Sequence, residues 1–484
     1  MYGLDMELIN KVFYAGMAFC AASAAIPIVF EGRTKSATGG VTNDLEDIKG
    51  KDGFIIGKNK IGKKYQLSWK SSLQNVIVIG PPGQHKTTPF VYTQLLINHF
   101  PINTSIVIND SKGELWRDTS CYQKSIGRKI FLFEPLGTHG HYNPLEWAET
   151  YSEVEKLAKD ILMSGTLAIK LDSGNGGGSF SSNDAFWIQA ATALLAASLF
   201  YHKDLKRPHN TISEAVDFLI SNEPEDIEIV FGNSKNQNVV KQFNIFNMSV
   251  PQDEDSSGGP LTSILSTLAT NTKFWLDPQI ASKTSYSDFN YKMLRDERVS
   301  LYIKYFPEDS NYLSPLMSIM YTQLIEKCKK YYDNNKNNIV WLLDEAQNLG
   351  RIPTLAQTVN SSRESNYAFL LVLQSVSALI DVYGRNGTRS ILNAMQTKCI
   401  LPAYSEVEML REFTTLNGDK EIPIVQGNRT VKMKKNVFTP DEIRRLKKDE
   451  VLIISQNLKP ILAKQYRYYE DKAMLLNKNM KEGQ

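Results

Sequence analysis

At 484 residues, 42% of them hydrophobic and 22% charged, the chain has the make-up of a folded protein of two or three domains, not of a disordered or fibrous one. A net charge of +3 excludes bulk electrostatics as a reason to bind nucleic acid, so any basic surface has to be local. Cys20, Cys121, Cys328 and Cys399 are too widely spaced for a CxxC pair, which argues against a zinc site or a disulfide framework and fits a reducing compartment.

Val12 to Phe30 (VFYAGMAFCAASAAIPIVF) runs 19 residues without a charge, the length at which a helix crosses a bilayer. A buried core helix and a cleaved signal peptide are the alternatives. Asp5 and Glu7 stand where a signal peptide carries positive charge. Lys11 alone precedes the run, whereas Arg33, Lys35 and Lys49 follow it, which predicts the N-terminus outside and the bulk of the chain in the cytoplasm. Residues 1–33 are therefore expected to be a single-pass anchor, and Thr34 to Gly53, small, polar and charged, a linker.

Short apolar runs of strand length follow: NVIVI (Asn75–Ile79), SIVIN (Ser105–Asn109) and KIFLF (Lys129–Phe133). After a gap come ERVSLYIKYF (Glu297–Phe306), NIVWLL (Asn338–Leu343), AFLLVLQ (Ala368–Gln374), KCILPAY (Lys398–Tyr404) and EVLIIS (Glu450–Ser455). They are apolar throughout instead of alternating, as strands buried on both faces of a parallel sheet are. An α/β nucleotide-binding core is expected, its first part in residues 34–148 and its second in 297–484. Between them, residues 149–296 carry helical patterns (SFSSNDAFWIQAATALLAASLFYH, TISEAVDFLI, GPLTSILSTLATNTKFW) after the glycine-serine tract LDSGNGGGSFSS, and predict an inserted all-α domain.

The first run leads into VIVIGPPGQHKTT (Val76–Thr88). A phosphate-binding loop reads Gly, four residues, then Gly-Lys-Ser/Thr. Gly80, Lys86 and Thr87 fill their places; His85 stands where the second glycine belongs. The histidine could face outward as a tolerated substitution, could crowd the phosphates and weaken turnover, or could touch a phosphate itself. A partner motif comes from NIVWLLDE, a buried run ending in Asp344-Glu345. Each motif sits at the C-terminal end of a predicted parallel strand, the edge where open α/β sheets bind ligands. Gly80, Pro81, Pro82, Gly83, Gln84, His85, Lys86, Thr87 and Thr88 are thus the candidate nucleotide-binding residues, with ATP and Mg²⁺ as cofactors. Loop N–H groups and the next helix N-terminus offer donors to phosphates. Lys86 neutralises phosphate charge, Thr87 and Asp344 are the candidate Mg²⁺ ligands, and Glu345 is the candidate base for the attacking water.

Further segments add to these. GFIIG (Gly53–Gly57), DSKGELW (Asp110–Trp116), FEPLGTHGHYNPLEW (Phe133–Trp147), LLDEAQNLGRIP (Leu342–Pro353) and LVLQSVSALIDVYG (Leu371–Gly384) stand in that order. Their succession resembles the coupling ATPases of type IV secretion and conjugation, of TraG/TraD type, from Gly53 to about Arg467. The resemblance implies a RecA-like P-loop domain with an all-α insertion, assembled as a homohexameric ring. It further implies that Gln374 senses the γ-phosphate, that Arg363 is a finger offered to the neighbouring subunit's nucleotide, and that Asp110 and Glu114 are acids near the nucleotide edge. It places the protein at the inner membrane, where it would couple relaxase-bound single-stranded DNA, secreted proteins or both to a type IV secretion channel. The chain departs from the family at His85, at Glu134 in place of an aspartate, in having one hydrophobic span where two are usual, and in lacking a long acidic tail after Lys472. The basic clusters KNKIGKK (Lys58–Lys64), KMKK (Lys432–Lys435) and RRLKK (Arg444–Lys448) could contact phosphates or simply be solvated faces. Two other readings remain: a soluble hexameric DNA translocase, and a nucleotide-gated docking platform with little hydrolysis.

Overall fold

The computed structural model describes residues 50–172, 182–250, 260–426, 429–455 and 458–481. The expected anchor, Val12–Phe30, lies outside them. Among the described residues no helix is long and apolar enough to cross a membrane.

Thirteen strands are described. The chain opens with β1 (Asp52–Lys58), β2 (Lys64–Ser68), β3 (Val76–Ile79), β4 (Thr104–Asp110) and β5 (Lys129–Phe133). It continues with β6 (Val299–Lys304), β7 (Asn338–Leu343), β8 (Tyr367–Leu373) and β9 (Thr397–Ile400), and then the hairpin β10 (Asp419–Gln426) and β11 (Arg429–Asn436). The last two are β12 (Glu450–Ser455) and β13 (Ile461–Lys464). All but the hairpin form one sheet in the order β2-β1-β13-β12-β9-β3-β8-β7-β4-β6-β5. From β9 to β5 every neighbour is parallel. From β12 to β2 the pairs are antiparallel.

The apolar runs therefore mark the parallel strands, with one correction. EVLIIS, read above with the parallel set, is β12 and runs antiparallel to β9, Leu452 opposite Ile400. Four of its six residues are buried because it lies inside the sheet, and burial on both faces does not fix direction.

Between β5 and β6 the described elements are helices, from Pro144–Trp147 to Tyr291–Asp296. Thr211 caps Ile212–Ser221 by accepting from Glu214 N. Their apolar faces join those of Ile77, Val107 and Leu343 in one continuous core on one side of the sheet. A second core, with Val76, Val78, Ile106 and Leu342, fills the other side. β3, β7 and β8 are buried along their whole length, so their C-terminal ends are held rigidly at one edge.

Candidate functional site

The adjacent strands β3, β8, β7 and β4 deliver their C-terminal ends to this edge side by side. Gly80 follows β3 and donates from its N–H to Leu373 O at 3.2 Å. A Cβ on Gly80 would stand 2.7 Å from the Leu401 Cβ, so only glycine lets the segment after β9 pack here. Pro81, Pro82, Gly83 and Gln84 carry the loop outward, with Gly83 at φ +79° in open space. Thr88 begins a short π-helical turn, Thr88–Tyr92, that returns the chain to the sheet.

His85 occupies the left-handed region, φ +51°, with its side chain exposed. The backbone thus takes a conformation natural to glycine at the position where the pattern has one, and histidine is among the residues that tolerate it.

Lys86 is 7% exposed and its Nζ donates to Pro81 O at 3.2 Å. Burial lowers its proton affinity, the Asp344 and Glu345 carboxylates oppose that, and Lys112 adds to the lowering. Thr87 Oγ1 donates to Asp344 Oδ2 at 2.7 Å, across 257 residues of sequence. Asp344 is 4% exposed and burial pushes its carboxyl up to about 6; the Thr87 bond opposes the rise, Glu345 adds to it, Lys86 opposes it and Asp110 adds to it. Asn109 Nδ2 donates to Asp344 O at 2.5 Å and to the Tyr305 hydroxyl at 3.1 Å, while Tyr321 donates to Asn109 Oδ1 at 3.1 Å. This buried polar network fixes the peptide on which Asp344 sits.

Glu345 also has a left-handed backbone, φ 51° and ψ 49°. Its Oε1 accepts from Gln374 Nε2 at 2.8 Å and its Oε2 from Asn348 Nδ2 at 3.0 Å. The structure thus brings together Gly80 to Thr88, Asp344, Glu345 and Gln374.

It does not bring Arg363 there. That residue lies in the 3-10 turn Ser362–Ser365 before β8, exposed, at the opposite edge of the sheet. The seven residues of β8 separate it from Gln374, about 20 Å at ~3.3 Å per residue. There it lines a cleft of about 420 Å³ with Asn75, Asn360 and Gln396. Asp110 does reach the nucleotide edge, but its carboxylate accepts from Trp116 N at 2.8 Å at the start of the helix Glu114–Ser125, and Glu114 points to solvent. The sequence reading missed Asn109 and Asn348; Asn348 lies within the quoted LLDEAQNLGRIP, three residues after Glu345, the spacing of one turn.

The family described as "Type IV secretory system Conjugative DNA transfer" has a model that matches residues 34–483. The chain is 26% identical over 448 residues to the conjugal transfer protein TraG of Escherichia coli, covering 84% of this chain and 67% of that protein. It is 23% identical over 422 residues to protein VirD4 of Rhizobium radiobacter, covering 82% of this chain and 57% of that one. It therefore spans between about half and two thirds of the length of such relatives. Among solved structures, the plasmid coupling protein TrwB in complex with ADP and Mg²⁺ superposes with a TM-score of 0.67 at 15% identity, over 89% of this chain and 94% of that one. VirB4 of Thermoanaerobacter pseudethanolicus gives 0.51 at 13% identity, over 88% and 98%. At these identities the structural likeness speaks for the fold.

Proposed function

Because the chain belongs to the type IV secretory system conjugative DNA transfer family, we propose that it is a membrane-anchored ATPase, working as a ring of six, that brings relaxase-bound single-stranded DNA, secreted proteins or both to a type IV secretion channel. In this reading residues 1–33 are the anchor, 34–148 and 297–484 the nucleotide-binding parts, and 149–296 an inserted helical domain. The observation that carries the ATP site is the Thr87–Asp344 contact of 2.7 Å beside a buried Lys86.

The donor set fits magnesium. A hydroxyl and a carboxylate are hard oxygen ligands, and no cluster of three or more His, Cys, Asp or Glu among the described residues could hold a metal by itself. That is the arrangement expected of a cation shared between few protein ligands and the substrate's phosphates. Thr87 and Asp344 would hold Mg²⁺, which when bound supplies charge neutralisation to the phosphates. Asn109 keeps Asp344 in place. Lys86 turns from Pro81 O to the phosphates, and the Gly80–Lys86 backbone donates to them. Glu345 accepts the proton of the attacking water, Gln374 reports the γ-phosphate by leaving Glu345, and Arg363 acts in the neighbouring subunit's site. ADP and Mg²⁺ in the TrwB complex support the choice of ATP and Mg²⁺ as the ligands.

Lys86→Ala is expected to weaken ATP binding, whereas Glu345→Gln keeps binding and loses about 100- to 10,000-fold in hydrolysis. Titration of a fluorescent nucleotide alongside steady-state hydrolysis reads both, and equal loss of binding in the two variants would overturn the division of roles. The second reading, a platform that binds ATP and scarcely hydrolyses it, is favoured by one feature: both Glu345 oxygens are held by amides. Turnover by the wild-type chain, with and without single-stranded DNA, separates the two.

A further inference from the structure

The segment 401–449 leaves the sheet after β9 and returns as β12. β9 is parallel to β3, with Ile79 opposite Ile400, so the segment departs at the nucleotide edge. β12 is antiparallel to β9, so it re-enters at the same edge. The excursion consists of the helix Val407–Asn417, the hairpin β10–β11 and the helix Pro440–Arg444.

Its charge is unlike that of the rest of the chain. Residues 419–448 hold nine Lys and Arg against four Asp and Glu, a surplus of five positive charges in a protein whose total is +3. Lys432, Lys434, Lys435, Arg444, Arg445, Lys447 and Lys448 are all exposed. Lys432 and Lys434 share one face of the hairpin, opposite Pro423 and Glu421. The Lys432–Glu421 pair, 3.1 Å, is solvent-exposed on both sides and holds little. No acid pairs with Lys434, Lys447 or Lys448 among the described residues. On the ribbon Lys435 stands 3.9 Å from Glu442, again a solvent-exposed pair, so its lysines are held only by weak surface contacts, and such a basic ribbon fits the phosphate backbone of a nucleic acid.

The excursion is also tied to the catalytic edge by one side chain. Glu406, at the start of the helix Val407–Asn417, accepts from Val376 N at 3.2 Å and from Ser377 N and Oγ at 3.1 and 2.6 Å; Tyr404 donates to it as well. Val376 opens the helix Val376–Ala394 two residues after Gln374, whose amide touches Glu345. Gln374, that helix start, Glu406 and the helix Val407–Asn417 thus form a continuous run that ends at the hairpin beyond Gly418.

We propose that the basic excursion 419–448 grips the phosphate backbone of single-stranded nucleic acid, and that Glu406 yokes this grip to the Glu345–Gln374 pair. The grip stands on charge and place alone; the yoke rests on the ATPase reading above.

Three full-length proteins test the grip with a labelled mixed-sequence single-stranded oligonucleotide in the absence of ATP. The Lys432→Ala/Lys434→Ala/Lys435→Ala variant is expected to lose at least about 10-fold in affinity, and its slope of log affinity against log salt to flatten by about 2, the release from roughly three phosphates. An equal loss of charge on the helical interval, Lys206→Ala/Lys235→Ala/Lys241→Ala, is expected to leave both values unchanged. Wild-type affinity and slope in the hairpin variant would overturn the grip, as would loss of binding to anionic lipid vesicles with DNA affinity intact. For the yoke, Glu406→Ala is expected to bind the oligonucleotide within about twofold of wild type while the ratio of ATP hydrolysis with and without DNA falls to about 1. A retained ratio, or a wild type whose hydrolysis ignores DNA, overturns the yoke. A wild type that hydrolyses no ATP at all overturns the ATPase reading and the yoke with it, and the binding arm still decides the grip.

Discussion

The two edges of the parallel sheet treat their arginines and acids differently. At the nucleotide edge, polar side chains are bonded to each other and to neighbouring loops: Thr87 to Asp344, Gln374 and Asn348 to Glu345, Lys304 to Glu134 at 2.5 Å. At the other edge Arg295 is fully buried, donates to the carbonyls of Cys328, Asn337 and Ser365, and stacks within 5 Å of Tyr332 and Tyr367. Arg363, two residues from Ser365, is exposed. Arg295 is saturated by carbonyls and rings of its own fold, whereas the Arg363 side chain is left in solvent. The contrast assigns Arg295 to the fold and leaves Arg363 free for the role proposed above.

The largest effect expected from this contrast is on turnover. Arg363→Ala is predicted to cut ATP hydrolysis about 10³- to 10⁵-fold, the value of an arginine finger, while its melting temperature stays near wild type. Arg363→Lys should not rescue, because it keeps the charge and loses the planar fork. Mixed rings of Arg363→Ala and Glu345→Gln chains should regain turnover, since some interfaces then pair an intact Arg363 with an intact Glu345. Full activity of Arg363→Ala alone would break the comparison.

Arg295→Met should do the reverse. It orphans three buried carbonyls, so unfolding in denaturant is predicted to come about 3 kcal/mol or more easier. Near-wild-type stability would show that the buried guanidinium is dispensable.

A smaller effect is expected at Glu134, on the nucleotide edge. Burial alone would raise its carboxyl; the bonds to Lys304 and His139 outweigh that and hold it below the usual range. A folded-state pKa below the unfolded one adds stability above about pH 4.5, lost as the pH falls through the folded value. Glu134→Gln is accordingly predicted to cost about 1 kcal/mol at pH 7 and nothing in strong acid, read from denaturant midpoints across pH. A cost independent of pH would assign Glu134 a packing role instead.

The smallest effect belongs to His85→Gly. It relieves a left-handed histidine, worth about 1 kcal/mol, and adds glycine entropy of similar size, so stability and ATP affinity are both expected to move little. A change in ATP affinity beyond about 10-fold would mean that the imidazole meets the phosphates after all.

Most of the sheet was legible because its strands are short apolar runs with no competing period. KIFLF, NIVWLL and EVLIIS match β5, β7 and β12 residue for residue. Direction was not legible for EVLIIS, since burial on both faces is shared by interior strands of either sense. The strands β2 and β13 escaped notice: KYQLS alternates buried and half-buried positions over only five residues, and ILAK is four residues long. The hairpin was seen as a charge cluster, KMKK, because its alternation is obscured by lysines. Within the site, the loop and the Asp-Glu pair carry their chemistry in fixed spacing, whereas Asn109 and Glu406 act across 235 and 30 residues and leave no local signal.

The Thr87–Asp344 contact spans 257 residues, and both strands beside β3 come later still. As the chain leaves the ribosome, Val76–Ile79 therefore waits, apolar and unpaired on either side, until β8 and β9 have been made. Such long-range pairing is slow and leaves a sticky edge open in the meantime. The loop after β3 is among the first parts synthesised and among the last to be enclosed, so a truncated chain ending before Tyr367 is expected to leave this strand exposed to aggregation.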